Sequence, residues 1–128
     1  MTNPSIYPIW KPKGISSYDV IREMKKTNNE IKLGHCGTLD PFAEGILLIC
    51  SGLELKNVSN YMILPKTYKT EILFGIETDT LDPTGKVIKS SVNNSKITTD
   101  DINKIMSIFK DNYIQSPPYF CAKKINGV

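Results

Sequence analysis

The sequence predicts a fold of the mixed α and β class, and two kinds of periodicity predict it. Apolar residues recur at helical spacing in three stretches, and others alternate or run apolar over lengths that suit strands. With 128 residues the chain suits one ordinary domain, and 40% hydrophobic content allows a packed core. The longest apolar run, Ile46-Leu47-Leu48-Ile49-Cys50, falls far short of the roughly 18–20 residues that cross a bilayer, and reads as a buried strand.

The elements follow in chain order. Residues 1–10, which include Pro4 and Pro8, read as irregular. Lys11-Pro12-Lys13-Gly14-Ile15-Ser16-Ser17 is a Pro/Gly turn that leads into a helix. Ser16 or Ser17 can cap that helix and Asp19 suits its first turn. Val20, Ile21 and Met24 give it an apolar face, Lys25 and Lys26 favour its C-terminal end, and Thr27-Asn28-Asn29 ends it. Residues 34–45 form a Gly-rich loop, followed by the strand at 46–50. Residues 54–64 predict a second helix, with Leu55, Val58, Tyr61 and Met62 on one side and Pro65 as its stop. Over residues 68–76, Tyr68, Thr70, Ile72 and Phe74 share one face and Lys69, Glu71 and Leu73 the other, which predicts a strand. Residues 77–85 are an acidic, turn-prone loop, and residues 86–89 begin another strand. Residues 90–97 are polar loop. Thr98 with Asp101 forms a capping box, and the helix it opens carries Ile102, Ile105, Met106 and Phe109 as a core face. Residues 115–128 open on Ser116-Pro117-Pro118 and stop at Asn126-Gly127-Val128 as though cut.

A net charge of +3, from 16 basic and 13 acidic side chains, permits a nucleic-acid partner without demanding one. Only Arg22 among the basic residues is arginine. The N-terminus lacks the basic-then-apolar pattern of a secretory signal, so the expected location is cytoplasmic, with no membrane partner. Cys36, Cys50 and Cys121 are widely spaced and form no CxxC pair, which argues against a zinc site and for reduced thiols. No other metal or nucleotide motif is present, so no metal and no cofactor is expected. His35 and Cys36 are adjacent, but neighbours on an extended backbone point to opposite faces, which argues against a Cys/His nucleophile pair.

The chemistry-bearing stretch is the loop. Gly34, Gly37 and Gly45 bracket a tight turn where backbone can approach a ligand closely. His35 supplies a ring, Thr38 a hydroxyl and Asp40 a carboxylate. Pro41 biases Asp40 toward an extended backbone. A hydrophobic strand follows at once, so the loop hangs from a buried element. An Asx-turn at Asp-Pro explains the same residues without chemistry, and spacing alone does not choose between the two.

Resemblance adds a choice. The segment Gly34-His35-Cys36-Gly37-Thr38-Leu39-Asp40-Pro41-Phe42-Ala43-Glu44-Gly45 resembles the G-H-x-G-T-L-D-P-x-A-x-G motif of the TruB family of tRNA pseudouridine synthases. Lys11-Pro12-Lys13-Gly14-Ile15-Ser16-Ser17 is similar to the family's K-P-x-G-x-x-S motif. Tyr68-Lys69 and then Phe74-Gly75-Ile76-Glu77-Thr78-Asp79-Thr80-Leu81-Asp82-Pro83-Thr84-Gly85 resemble its tyrosine strand and T-D-T-x-D-x-x-G loop, the mark of the bacterial type. Pro117-Pro118-Tyr119-Phe120-Cys121-Ala122-Lys123-Lys124-Ile125-Asn126-Gly127 is similar to P-P-x-Y-S-A-x-K-x-x-G. Trp10 stands where the family usually has Asp, and Phe120-Cys121 where it has Tyr-Ser.

The resemblance implies an α+β fold around a mixed, largely antiparallel sheet. Residues 1–128 would be the N-terminal portion of the catalytic domain, incomplete at the C-terminus and without the RNA-binding domain. It implies isomerisation of a uridine to pseudouridine in the T-loop of tRNA, with no cofactor, in a monomer. Asp40 would be catalytic. His35, Tyr68, Gly37, Thr38, Leu39 and Lys11 would meet the substrate: His35 in the place vacated by the flipped base, Tyr68 stacked on that base, and Lys11 on phosphate. The family's later arginine, which pairs with the catalytic aspartate, has no counterpart in these residues, and Arg22 does not match its motif. A truncated, catalytically silent tRNA-binding fragment is the alternative.

Overall fold

A computed structural model describes residues 5–27, 32–91, 97–109, 114 and 116 of the chain. It divides into two compact units, Met1–Lys69 and Thr70–Val128. The P-P-x-Y-S-A-like segment at 117–127 lies outside the described residues.

The first unit is built on a three-stranded antiparallel sheet of order β1-β3-β2, comprising β1 (Ser5–Lys11), β2 (Leu33–His35) and β3 (Gly45–Ser51). The centre is β3, the apolar run of the sequence, with Tyr7 opposite Ile49, Ile9 opposite Leu47 and His35 opposite Ile49. Helix α1 (Ser17–Thr27) covers one face. Its Val20 and Ile21 pack with Leu47 and Ile49 into the buried core, and Tyr7, Ile9, Ile15, Met24, Leu33 and Leu39 close around them. Each fully buried aliphatic side chain there is worth roughly 1.5–3 kcal/mol of burial. Ser16 caps α1: its hydroxyl accepts from the Asp19 amide at 3.1 Å, and the Asp19 carboxylate accepts from the Ser16 amide at 2.8 Å.

Residues 5–10, expected to be irregular, are strand. Pro8 is tolerated because, among the described residues, β1 is an edge strand with a neighbour on one side only. The expected helix over 54–64 is split into a 3-10 helix (Gly52–Asn57) and a five-residue α2 (Val58–Met62). Leu55 of the first part packs against β2, where a Cβ on Gly34 would stand only 2.9 Å from its Cδ2. Lys66 then closes α2, its ammonium donating to the carbonyls of Met62 at 2.6 Å and Leu64 at 2.9 Å.

The second unit holds an antiparallel hairpin, β4 (Ile76–Thr78) with β5 (Val87–Ser90), and α3 (Thr99–Ile108). The strand expected over 68–76 is not formed: its alternation is real, but among the described residues no strand pairs with 68–75, and a strand needs a ladder. The capping box at α3 is present, with Thr98 accepting from the Asp101 amide and the Asp101 carboxylate from the Thr98 amide. Its expected core face is exposed, with Ile105 at 55% and Met106 at 58%. Helical periodicity says which side is apolar; burial requires a surface to meet it. Both units therefore mix helix with antiparallel sheet, the α+β class in small form.

The T-D-T loop is tied internally. The Asp82 carboxylate accepts from the hydroxyls of Thr80 at 2.7 Å and Thr84 at 2.5 Å and from the Thr84 amide at 2.8 Å. Gly85 is required because a Cβ there would overlap the Thr80 hydroxyl. These bonds, led by the Thr84 hydroxyl and then the Thr80 hydroxyl, hold the Asp82 carboxyl below the ordinary aspartate value. A depressed folded value means that the loop gains stability above the unfolded value of about 3.9 and loses it as pH falls through the lower folded value. Titration of the Asp82 side chain by NMR is expected to show that lowered midpoint, and Thr84→Ala to raise it toward the ordinary value.

The sheet face away from α1 buries Cys50 completely and leaves Cys36 at 5% exposure, with their sulfurs in hydrogen-bond contact at 2.9 Å and no disulfide between them. Burial, then the neighbouring Cys36, pushes the Cys50 thiol up to about 12. Neither thiol is expected to react with iodoacetamide near pH 8 (a rough working value) in the folded chain, and both are expected to react in urea. Mass spectrometry of the alkylated chain checks this.

Candidate active site

The loop between β2 and β3 carries the site. The Cys36 amide donates to the Leu48 carbonyl at 2.8 Å, which extends the ladder one residue beyond His35. Gly37 then turns the chain with φ of +127°, a conformation that strains any residue with a Cβ. Its carbonyl comes back to the His35 ring, 2.6 Å from Nδ1. His35 and Cys36 thus diverge as expected: the ring meets Gly37, and the thiol meets Cys50.

Asp40 opens a β-turn in which the Ala43 amide donates to its carbonyl at 3.0 Å. Pro41 sits at the second position, which its fixed φ suits. The turn chemistry of Asp-Pro is therefore present in the backbone and leaves the carboxylate uncommitted. Asp40 is exposed, and among the described residues no group bonds its carboxylate.

The residues around Asp40 are fixed from the other side by the segment between β1 and α1. The buried Ser17 hydroxyl accepts from the Leu39 amide at 2.9 Å and donates to the Leu39 carbonyl at 3.1 Å. The Gly14 amide donates to the Pro41 carbonyl at 2.7 Å. The Lys11 ammonium donates to the carbonyls of Ala43 at 2.6 Å, Ile15 at 2.9 Å and Pro12 at 3.0 Å. Leu39 adds an apolar anchor by packing on the core. Leu39, Pro41 and Ala43 are thus each bonded to residues 11–17, so the loop cannot move Asp40 without breaking a bond on one flank or the other.

Lys11, expected at the RNA phosphates, is 0% exposed. A lysine ammonium has three N–H donors, and here each meets a carbonyl, which is what makes a buried charge tolerable. Its neighbour Lys13 is the exposed one, 3.8 Å from the Glu44 carboxylate. Arg22 is engaged on its own helix by Asp19. His35, Gly37, Thr38, Leu39 and Asp40 share one loop. Tyr68 is 69% exposed on an irregular stretch, and Lys66 two residues earlier comes within 4.0 Å of where a Cβ on Gly37 would stand. Ser17 and Gly14 are the site residues that the sequence did not single out. The K-P-x-G-x-x-S spacing holds both, and what hides their role is that it lies across the chain, on Leu39 and Pro41.

An antiparallel sheet whose inter-strand loop is stapled on both sides of one outward aspartate defines an α+β module built to hold a carboxylate. The chain belongs to the TruB family: the family model described as TruB family pseudouridylate synthase (N terminal domain) matches residues 7–128. It is 39% identical over 124 residues to the tRNA pseudouridine synthase B of Staphylococcus saprophyticus, covering 95% of this chain and 40% of that protein. It is 41% identical over 123 residues to the protein of the same name in Clostridium acetobutylicum, covering 96% of this chain and 42% of the relative. For the one in Caldanaerobacter subterraneus the identity is 39% over 127 residues, covering 99% of this chain and 44% of the relative. The chain thus spans about two fifths of the length of the curated relatives it matches.

Lys11→Met keeps the methylene stem and removes the ammonium. It is expected to cost about 3 kcal/mol, since hydrogen bonds to charged groups contribute roughly 1.5–3 kcal/mol each and some carbonyls regain water. Lys13→Met, on an exposed pair, is expected to cost less than about 1 kcal/mol. Urea unfolding of the two variants beside the parent chain measures the difference.

Proposed function

We propose that the chain is the N-terminal portion of a pseudouridine synthase catalytic domain that isomerises uridine in the T-loop of tRNA, with Asp40 as the catalytic carboxylate. The observation that carries this is the placement of Asp40: exposed, uncommitted, and held on both flanks by Ser17, Gly14 and Lys11. The names of the relatives, tRNA pseudouridine synthase B, supply the reaction and its substrate class.

The reaction breaks the bond from uracil N1 to the ribose C1′, turns the base, and joins C5 to C1′. C5 loses its hydrogen and N1 gains one, so atoms and electrons balance without a cofactor. What it asks of the protein is a positioned carboxylate and a pocket that retains the free base. Attack on C1′ and removal of a ribose proton both begin from an ionised Asp40. A base within a folded T-loop must first be flipped out, at a cost of a few kcal/mol. Tyr68, exposed, would stack on it for roughly 1–3 kcal/mol, and His35 would fill the place it leaves. Gly37, Thr38 and Leu39 would form the backbone wall beside Asp40. Lys13 is better placed than Lys11 for phosphate, because its ammonium is at the surface. The working form is a cytoplasmic monomer whose partner is tRNA.

A second reading, a tRNA-binding fragment without catalysis, is favoured by one observation: Arg22 is held by Asp19. Asp40 therefore has no arginine partner among the described residues. Tritium release from T-arm RNA labelled at uridine C5 separates the two. Release by the parent chain, lost at least about 10³-fold in Asp40→Asn, is expected for the catalytic reading. Equal release from both proteins would remove Asp40 from its role. RNA binding without release would favour the second reading.

A further inference from the structure

We infer that Gly37 is a positioning residue for His35, holding the ring as the Nδ1–H tautomer so that Nε2 presents a lone pair. The partner of Nδ1 is the Gly37 carbonyl at 2.6 Å, and a carbonyl oxygen only accepts. Nδ1 must therefore carry the hydrogen, and in the neutral ring Nε2 carries none. Free histidine side chains favour the opposite form, with hydrogen on Nε2, so the fold reverses the intrinsic preference.

Three features make the reversal a property of this loop. His35 is the last residue of β2, paired with Ile49, so its backbone is fixed by the sheet. Cys36 is fixed by its amide bond to Leu48. Gly37 alone is free to turn, and its φ of +127° aims the carbonyl back at the ring. Space is not the constraint: a Cβ on Gly37 would meet its nearest neighbour, Lys66 Cε, at 4.0 Å. A side chain at 37 would fit and would still be strained, so Gly37→Ala tests the backbone conformation without a steric clash.

The consequence concerns specificity and rests on the function proposed above. An acceptor nitrogen in the place left by a flipped base selects a hydrogen-bond donor on the RNA, an N–H or a ribose hydroxyl, and disfavours a carbonyl. The tautomer itself is measured without RNA, so failure to bind or isomerise RNA would count against the function and not against this assignment.

Nitrogen-15 shifts of the His35 ring in the free chain, above its titration range, are expected to show a protonated Nδ1 and a bare Nε2. A predominant Nε2–H form would overturn the inference. Gly37→Ala is expected to move the ring toward the Nε2–H form; a folded variant that keeps the Nδ1–H form would remove Gly37 from its role. Should that variant not fold, substitution at His35 decides. Asn places an amide N–H where Nδ1 stands and Gln places one where Nε2 stands. His35→Asn is expected to melt near the parent chain and His35→Gln several degrees lower; equal melting or the reverse order would overturn the inference.

Discussion

A buried ammonium holds this site together. Lys11 ends β1 with its charged group inside the protein, and three carbonyls from Pro12, Ile15 and Ala43 surround it. Two of those carbonyls belong to the turn before α1 and the third to the loop that carries Asp40. One side chain thus fixes the entry to the helix and the exit of the loop in a single bond set. A neutral residue would leave carbonyls without donors, and an exposed lysine would leave the Ala43 end of the loop without its tie to β1. The expense of burying a charge is offset because every donor is used.

The other ties share the same logic. Ser17 is the first residue of α1, so its hydroxyl is held by the helix while it brackets the Leu39 backbone. Gly14 has φ of +89°, which lets the turn fold back far enough for its amide to reach Pro41. Helix, turn and loop are therefore one hydrogen-bonded unit around the end of the sheet. Within it the Asp40 backbone is spent on the turn with Ala43 and its carboxylate is not. Preorganisation of this kind is how a protein directs one group at a reacting centre without reorganising at the moment of reaction. His35 is set by the same loop through a different bond, so acid and ring are placed by neighbouring residues of one short segment.

Much of this was legible in the residues. The apolar run at 46–50, the Ser16–Asp19 cap and the Thr98–Asp101 capping box are local patterns, and local patterns appear where they were read. The loop and its aspartate came from motif order. The failures are non-local. Pro8 spoke against a strand, but an edge strand accepts proline. The alternation at 68–76 and the apolar side of α3 state what those segments would bury, not what meets them, and both are exposed in the described residues. Lys11 was expected on phosphate, which requires its ammonium at the surface. Only the fold brings Ile15 and Ala43 around it. Ser17 was legible as a cap for its own helix but not as a clamp on Leu39, twenty-two positions away.

The loop is locked to residues 11–17, with Asp40 between the locks. Native-state hydrogen exchange at three amides tests it directly. The Leu39, Gly14 and Ala43 amides are each bonded within this unit. They are expected to exchange as slowly as the amides of β3, and Ser17→Ala is expected to release Leu39 while β3 stays protected. Exchange of all three at the rate of an open surface loop, with β3 protected, would show that the loop is not locked.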